Sequence, residues 1–235
     1  MDVAVVTVGD ELLSGDTVNT NAAWLGSELT SRGANVERVT VVPDRIEDIS
    51  DVVRRYAEAY DAVIVTGGIG PTHDDVTVNA VAEALDRPME QHEAVLSWLE
   101  SEGGYSRGDL TDGTAELPAG SRPLHNRVGV APGCVVEDVY VLPGVPAEMK
   151  GMFETVADEF SGRRRHAETV SVDEPESMLI DRFEELEAEF DVTVGSYPGE
   201  YVRVKIQAND EETASEAAAW LRQRVELWTG DDDNQ

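Results

Sequence analysis

The sequence is poor in cysteine, in lysine and in long apolar runs. Its single cysteine, Cys134, excludes an internal disulfide and fits a reducing compartment. No stretch approaches the roughly 20 apolar residues that a membrane helix needs. The N-terminus also lacks the basic segment of a signal peptide. We therefore expect a cytoplasmic protein with no membrane partner.

Positive charge is the scarcest property of the chain. Only two of its 18 basic residues are lysines, against 48 acidic residues, and the formal net charge is −30. Because no basic stripe is present to displace counterions from phosphates, nucleic acid is not expected as a partner. Such acidity keeps a protein soluble but destabilises its compact state unless salt screens the repulsion. The composition therefore favours adaptation to high salt.

Several common motifs are also missing. The sequence contains no GxGxxG or GxxxxGK[ST], which argues against a Rossmann dinucleotide site and a P-loop. The four histidines show no ligand spacing, so a histidine-based zinc site is not expected. Only His73 lies inside a candidate site.

Apolar patterning predicts strands that alternate with helices. The runs 3–8, 36–42 and 61–65 are short, β-branched and apolar, as buried strands are, and 19–32 has helical spacing. Pro43 and Asp44 open a further helix, with Asp44 as a natural N-cap. This alternation predicts a three-layer α/β/α domain with a mostly parallel sheet.

The same strand–turn–helix order recurs later in the chain. A strand is predicted at 139–142, a turn at Pro143 and Gly144, and a helix from about Pro146. The buried face of this helix is predicted to contain Met149, Met152, Phe153, Val156 and Phe160. Residues 102–114 are predicted to form a polar loop.

The segment "SGRRRH" at 161–166 interrupts the pattern and predicts a boundary between a domain at 1–162 and one at 163–235. The second is predicted to be a small α+β subdomain of order βαββα, with a frayed acidic tail. Its last helix carries an apolar stripe of Ala214, Ala218, Leu221, Val225 and Trp228.

Three polar segments follow predicted strands: "TVGDELLSG", "TGGIGPTHDD" and "LPGVPAEMK". Because ligands bind beyond the carboxyl ends of parallel strands, we expect these segments to meet at one edge. In the second, glycines let backbone N–H groups approach an anion, so "GGIG" suits a phosphate. Asp74 and Asp75 would repel a phosphate. They are therefore either N-caps of the next helix or ligands of a cation that bridges to phosphate oxygens.

Other charged residues at this edge have two interpretations. Asp10 and Glu11 are either solvated loop residues or site residues that face the glycine loop. Asp44 is either a helix N-cap or a site residue, because its strand ends at the same edge. Lys150 is the last residue of the third segment, on the predicted helix, and is a candidate anion contact.

The motifs "GDELLSG", "VPD", "TGGIGPTHDDVT", "NRVGVAPG" and "LPGVPAEMK", in this order, resemble the molybdopterin-binding (MoaB/Mog-like) fold family. The resemblance covers about residues 1–160 and is closest to the N-terminal part of the competence/damage-inducible protein A (CinA) group. Members of the family bind molybdopterin and adenylylate it. CinA-type members are associated with a metal-dependent pyrophosphatase that acts on ADP-ribose, and a related domain hydrolyses FAD. No nicotinamide-nucleotide deamidase domain is matched, so that activity is not assigned.

The family has one acidic residue after the glycine loop and another in the "VPD" motif, and the resemblance implies that these correspond here to Asp75 and Asp44. The cofactor-synthesis proteins have a basic residue where this chain has Asp74, and this departure favours the hydrolytic branch. We therefore expect metal-dependent hydrolysis of a nucleotide diphosphate-linked substrate, such as ADP-ribose or FAD. The alternatives are molybdopterin binding with adenylyl transfer, and a non-catalytic nucleotide-binding module. A homo-oligomer is expected only because relatives assemble.

The expected site has three sets of residues. The catalytic set comprises Asp75, Asp44 and Asp10. A divalent cation (Mg²⁺, Mn²⁺ or Co²⁺) is expected among Asp10, Glu11, Asp74 and Asp75. The phosphate or ligand contacts are Gly67, Gly68, Gly70, Thr72, Asn126, Gly144, Glu148 and Lys150. The ligand itself is expected to be a small nucleotide or a pterin.

Overall fold

The computed structural model describes residues 1–102, 111, 113–162 and 166–230. The chain divides into two compact units, Met1–Gly162 and Arg163–Gln235. Most of the predicted polar loop at 102–114, the arginine run at 163–165 and the tail at 231–235 lie outside the described residues. No helix within the described ranges is long and apolar enough to cross a membrane.

The first unit contains a six-stranded sheet of order β2-β1-β3-β8-β7-β6. Its elements are β1 Asp2–Val8, α1 Asp10–Ser14, α2 Thr20–Ser31, β2 Asn35–Val42, α3 Ile46–Ala59, β3 Ala62–Gly67, α4 Thr77–Ala84, β4 Met89–Gln91, α5 Glu93–Ser101, β5 Glu116–Pro118, β6 Arg122–Leu124, β7 Gly133–Val136, β8 Val139–Pro143 and α6 Pro146–Phe153. Strands β2, β1, β3 and β8 are parallel, whereas β7 and β6 are antiparallel. The predicted α/β fold with a mainly parallel sheet is confirmed.

Both faces of this sheet are covered. This was predicted, because its strands are continuous apolar runs in which apolar and polar residues do not alternate. On one face, Val6 and Val65 pack with Val53 of α3 and with apolar residues of α4 and α5. On the other face, Ile64 packs with Leu25 of α2 and with α6. The predicted face around α6 is also confirmed. Met149, Met152, Phe153, Val156 and Phe160 are all buried, although the helix itself ends at Phe153.

The register of the parallel strands brings several loops to one edge. Val8, the last residue of β1, pairs with Val42 of β2, and Thr7 pairs with Thr66 of β3. Gly67 at the end of β3 pairs in turn with Pro143 at the end of β8. The segments that follow β1, β2, β3 and β8 therefore begin side by side, which positions the candidate site.

The second unit is a three-stranded antiparallel sheet of order β10-β11-β9 with two helices. Its elements are β9 His166–Val172, α7 Ile180–Glu189, β10 Val192–Pro198, β11 Val202–Ala208 and α8 Glu211–Arg222. Residues of β9 and β11 form an apolar cluster with α7 and α8. The predicted small α+β subdomain is confirmed.

The predicted extension of the last helix to Val225 and Trp228 is wrong. Helix α8 ends at Arg222, and Leu227 then forms an antiparallel bridge with Val172 of β9. The Trp228 N–H donates to the Ser171 carbonyl at 3.1 Å. The backbone groups of this segment are therefore satisfied at the sheet edge instead of in a helix.

Cys134 lies in the centre of the first unit, fully buried on β7. Burial raises the pKa of its thiol to about 12, so the thiol stays protonated at neutral pH and is inert. We expect a thiol reagent at pH 8 to modify the native protein far more slowly than the unfolded chain. Rapid stoichiometric labelling of the folded protein, measured by absorbance, would contradict this burial.

The net charge of −30 predicts a strong dependence of stability on salt. The Debye length falls from about 30 Å at 0.01 M to about 3 Å at 1 M salt, so repulsion across a unit is screened only at high salt. We expect the melting temperature of a chelator-treated sample to rise steeply with KCl. Divalent metal should add most at low salt. A melting temperature that is constant from dilute buffer to multimolar KCl would show that the acidity is not an adaptation to salt.

Candidate functional site

A cavity of about 480 Å³ opens at the carboxyl edge of β1, β3 and β8. Its lining comes from residues 8–12, 17–21, 44, 66–68, 74–75, 144 and 146. Of the predicted site residues, the structure places eight in this lining: Asp10, Glu11, Asp44, Gly67, Gly68, Asp74, Asp75 and Gly144.

Asp44 connects two of the loops that form the cavity. Its Oδ2 accepts a hydrogen bond from the Asp10 N–H at 2.9 Å. The N-cap interpretation of Asp44 for α3 is wrong, because that helix begins after Arg45 and has no side-chain cap. The carboxylate instead satisfies an orphan N–H at the start of α1, whose N-cap residue, Gly9, has no side chain. Asp44 therefore fixes the position of the Asp10 backbone.

The glycine loop is built around the Asp75 carboxylate. Oδ2 of Asp75 accepts from the Thr72 N–H at 3.3 Å and from the Thr72 hydroxyl in a short hydrogen bond. A Cβ on Gly68 or on Gly70 would overlap an oxygen of the same carboxylate. Neither glycine has a backbone in the left-handed region. Glycine is therefore required at these positions for space and not for backbone conformation.

The N-cap interpretations of Asp74 and Asp75 are also wrong. Helix α4 begins at Thr77, follows Val76 and has no side-chain cap. Asp74 is exposed, and hydrogen bonding holds the pKa of its carboxyl below the ordinary value. Asp74 is therefore ionised at neutral pH. The His73 imidazole is almost fully exposed, with Nδ1 3.8 Å from Asp74 Oδ1.

A hydrogen-bonded chain ties three walls of the cavity together. Asn21 Nδ2 donates to the Gly144 carbonyl at 2.7 Å, and the Gly144 N–H donates to the Gly67 carbonyl, also at 2.7 Å. A Cβ on Gly144 would lie 3.3 Å from the Gly67 carbonyl atoms. Oδ1 of Asn21 is buried and has no partner within the described part of the chain. Gly144 thus permits a close contact between the loops.

Two asparagines of the wall were missed by sequence reasoning. Asn19 caps α2, accepting from the Ala22 N–H at 3.1 Å, and donates to the Thr7 hydroxyl at 2.8 Å. Asn21 forms the link to Gly144 described above. The available signal was Asn19, an N-cap asparagine at the start of a predicted helix. The local pattern carries no information on the bond that Asn21 makes to a residue 123 positions away.

Gly70 and Thr72 line a second, smaller cavity of about 120 Å³. Asn79 and Glu116 also line it, and Asp75 lines both cavities. Asp75 therefore stands between the two spaces, and its carboxylate can serve a ligand in either of them.

Asn126, Glu148 and Lys150 do not line the main cavity. Asn126 is buried, and its Nδ2 donates to Glu148 Oε2 at 2.6 Å. Its Oδ1 accepts from the N–H groups of Val128 and Gly129. These bonds order the loop after β6. Lys150 Nζ lies 5.5 Å from the centre of the Trp24 ring, a cation–π contact.

All the charged side chains in the described lining of the main cavity are acidic. The lining contains the carboxylates of Asp10, Glu11, Asp44, Asp74 and Asp75, and none of its described residues is lysine, arginine or histidine. Such oxygen donors suit a hard divalent cation. Nevertheless, no three acidic, cysteine or histidine side chains in the described ranges are grouped closely enough to hold one. The residues thus do not form an all-protein metal cage. They suit an ion that reaches one or two carboxylates together with substrate phosphates.

Comparison with known proteins agrees with this architecture. Residues 4–162 match the family described as probable molybdopterin binding domain, and residues 164–230 match the FAD synthase middle domain. A protein of Archaeoglobus fulgidus is 37% identical over 219 residues, covering 92% of this chain and 95% of its own. A Pyrococcus furiosus protein is 38% identical over 244 residues, covering 95% of this chain and 97% of its own.

A solved structure supports the same assignment. The crystal structure of CinA from Thermoplasma acidophilum, a protein described as of unknown function, is 38% identical. It covers 68% of this chain and 97% of its own chain, with a TM-score of 0.63. The chain therefore belongs to the molybdopterin-binding domain family and is similar to its CinA-type members.

Proposed function

We propose that the first unit hydrolyses a nucleotide-linked diphosphate, of the ADP-ribose or FAD type, in a reaction that depends on a divalent metal. One observation carries the proposal: the main cavity presents five carboxylates and, among its described lining residues, no cationic side chain. A diphosphate alone would be repelled by these charges. A diphosphate that carries a divalent ion fits them, because carboxylates then bind the ion.

The size and position of the cavity support a nucleotide as the substrate. Its volume of about 480 Å³ is within the roughly 300–1,000 Å³ that is usual for small-molecule sites. It opens beyond the carboxyl ends of parallel strands, where such folds bind nucleotides. The smaller cavity beyond Asp75 offers room for a group on the far side of the diphosphate. The match of 164–230 to a domain named for FAD synthase is consistent with a nucleotide substrate.

The carboxylates have different roles in this proposal. Hydrolysis adds water to one phosphorus, breaks the P–O–P bridge and releases a proton to a base. Asp75 is the candidate base, because Thr72 orients its carboxylate at the junction of the two cavities. Asp44 positions the backbone of Asp10, whose side chain is a candidate metal ligand with those of Glu11 and Asp74. A bound divalent ion would supply Lewis acidity and charge neutralisation.

The second candidate function is molybdopterin binding with adenylyl transfer. It is favoured by the family match at residues 4–162. The acidic Asp74 in the cavity lining favours hydrolysis over this alternative, since no described cationic side chain there would hold the phosphate of a pterin.

A product analysis separates these functions. The purified full chain is incubated with ADP-ribose, FAD or ATP, with Mg²⁺, Mn²⁺ or Co²⁺, and products are resolved by chromatography. We expect AMP with ribose 5-phosphate from ADP-ribose, or AMP with FMN from FAD, and no products in chelator. Adenylylation of a pterin by ATP without diphosphate hydrolysis would support the second candidate. Nucleotide binding without any turnover would support a non-catalytic module.

A further inference from the structure

The C-terminal sheet has one face that the helices do not cover. Three residues of β11 belong to the apolar cluster of the second unit, together with residues of α8: Val202, Val204 and Ile206. Ala208, on the same side of the strand, is also buried. The alternating residues Arg203, Lys205 and Gln207 therefore lie on the opposite face, which we call the open face.

The antiparallel register completes the open face. Arg203 pairs with Tyr197 of β10 and Ser171 of β9, and Lys205 pairs with Gly195 and Thr169. The pairing of Gln207 adds one threonine and one alanine. Each strand thus contributes three residues to the open face.

None of these nine residues is acidic, although about one residue in five of the whole chain is acidic. On the helix-covered face of the same sheet, Glu168 is paired with Arg222 at 3.0 Å. Lys205 is one of only two lysines in the protein. Neither Arg203 nor Lys205 lies within ion-pair distance of a carboxylate of the described chain. The positive charge of the open face therefore has no carboxylate partner among the described residues.

An aromatic ring lies beside these cations. The Tyr197 side chain bends back over Gly195, where a Cβ would lie 3.2 Å from ring atoms. The Arg203 guanidinium is 5.3 Å from the centre of this ring, which is 48% exposed. Glycine at 195 provides the space for the ring, so one side of the ring rests on the sheet. The open face thus combines a half-exposed aromatic ring with two cations that have no carboxylate partner among the described residues.

We propose that the open face is a second binding site, specific for a free nucleotide. The base would stack on Tyr197, because every base has a π-face that an aromatic ring can cover. The phosphates would be held by Arg203, whose planar fork matches phosphate oxygens, and by Lys205, as a point charge. The two cations are about 7 Å apart along the strand, and their flexible side chains can converge on one diphosphate.

A free nucleotide fits this surface better than a nucleic acid. Nucleic acids are bound through many phosphate contacts along a basic groove. The open face offers two cations, in a protein whose net charge is −30 and repels a long polyanion. A mononucleotide carries only a few charges, which two cations largely neutralise.

This site can be tested apart from the proposed hydrolysis, because it needs no metal. Binding of ADP to the full chain is measured by calorimetry in chelator, a condition in which the acidic cavity of the first unit repels a diphosphate. We expect one saturable site. Tyr197→Ala should weaken the affinity by about tenfold or more, since the stack is lost. The double variant Arg203→Gln/Lys205→Gln should weaken it at least as much.

Matched variants identify the cause of any loss. Tyr197→Phe keeps the ring and should retain the affinity of the wild type. Arg54→Gln/Arg87→Gln removes two exposed, ion-paired cations of the first unit and should have no effect. Melting curves establish that each variant is folded.

Three results would overturn the proposal. The first is that metal-free ADP does not bind, and the second is that it binds all folded variants equally. The third is that a ten-residue single-stranded RNA binds far more tightly than ADP and with a steep salt dependence, which would make the open face a nucleic-acid surface.

Discussion

Replacement of Asp75 by alanine is expected to lower metal-dependent turnover by at least ~10²-fold, as loss of a positioned catalytic carboxylate typically does. Asp75 lines both cavities and is oriented by the backbone and hydroxyl of Thr72. The fold should survive, because the variant deletes a half-buried polar group and leaves the apolar clusters intact. Turnover of the best substrate is measured by chromatography, at saturating metal.

Asp16→Ala is the matched control for this experiment. Asp16 is an exposed acid just after α1, and it does not line either cavity. Its loss should change turnover little. Thr72→Val keeps the Asp75 carboxylate but removes the hydroxyl that orients it, so an intermediate loss is expected. Unchanged turnover in folded Asp75→Ala would remove Asp75 from the catalytic set.

Replacement of Gly68 by valine is expected to abolish metal-dependent binding of ADP-ribose. A Cβ at this position would overlap Asp75 Oδ1 and lie 3.2 Å from the Asp75 Cα. The carboxylate would have to leave Thr72, and the wall between the two cavities would change shape. Calorimetry with ADP-ribose and Mn²⁺, from which the metal-free signal is subtracted, measures the effect.

The Gly68 prediction has a control and an internal test. Gly26→Ala adds a Cβ that meets no atom within 4 Å, and it should bind as the wild type does. If crowding of the carboxylate is the cause, Gly68→Ala should cost less stability in an Asp75→Ala background than in the wild type, because contacting residues are not additive. Equal costs in both backgrounds, or wild-type affinity in Gly68→Val, would show that the glycine has another role.

Local sequence patterns predicted the elements that position the site. The apolar runs of β1 and β3 lack alternation, which indicated burial on both faces, and parallel strands necessarily end at one edge. The three predicted loops therefore meet there, and eight of the predicted residues line one cavity. Which of these residues performs chemistry stays a prediction.

Hydrogen bonds between residues far apart in the chain could not be predicted from local sequence patterns. Asp44 stands directly before a predicted helix, where an N-cap is the simplest interpretation, yet it binds an N–H 34 residues away. Similarly, Val225 and Trp228 continue the apolar spacing of α8 in the sequence, although the helix ends at Arg222 and the chain then pairs with the edge of β9. Two apolar residues are too few to distinguish a helix from a strand edge. In both cases, hydrogen bonds to a distant part of the chain determine the structure that is observed.

The dispersed carboxylates of the main cavity have a thermodynamic consequence. No described group of three such side chains can bind an ion by itself, so in the proposed reaction the ion and the diphosphate complete each other's coordination. Linkage then requires that the factor by which substrate tightens ion binding equals the factor by which the ion tightens substrate binding. Such reciprocity makes the cavity responsive to the product of the two concentrations, and neither component alone would saturate it.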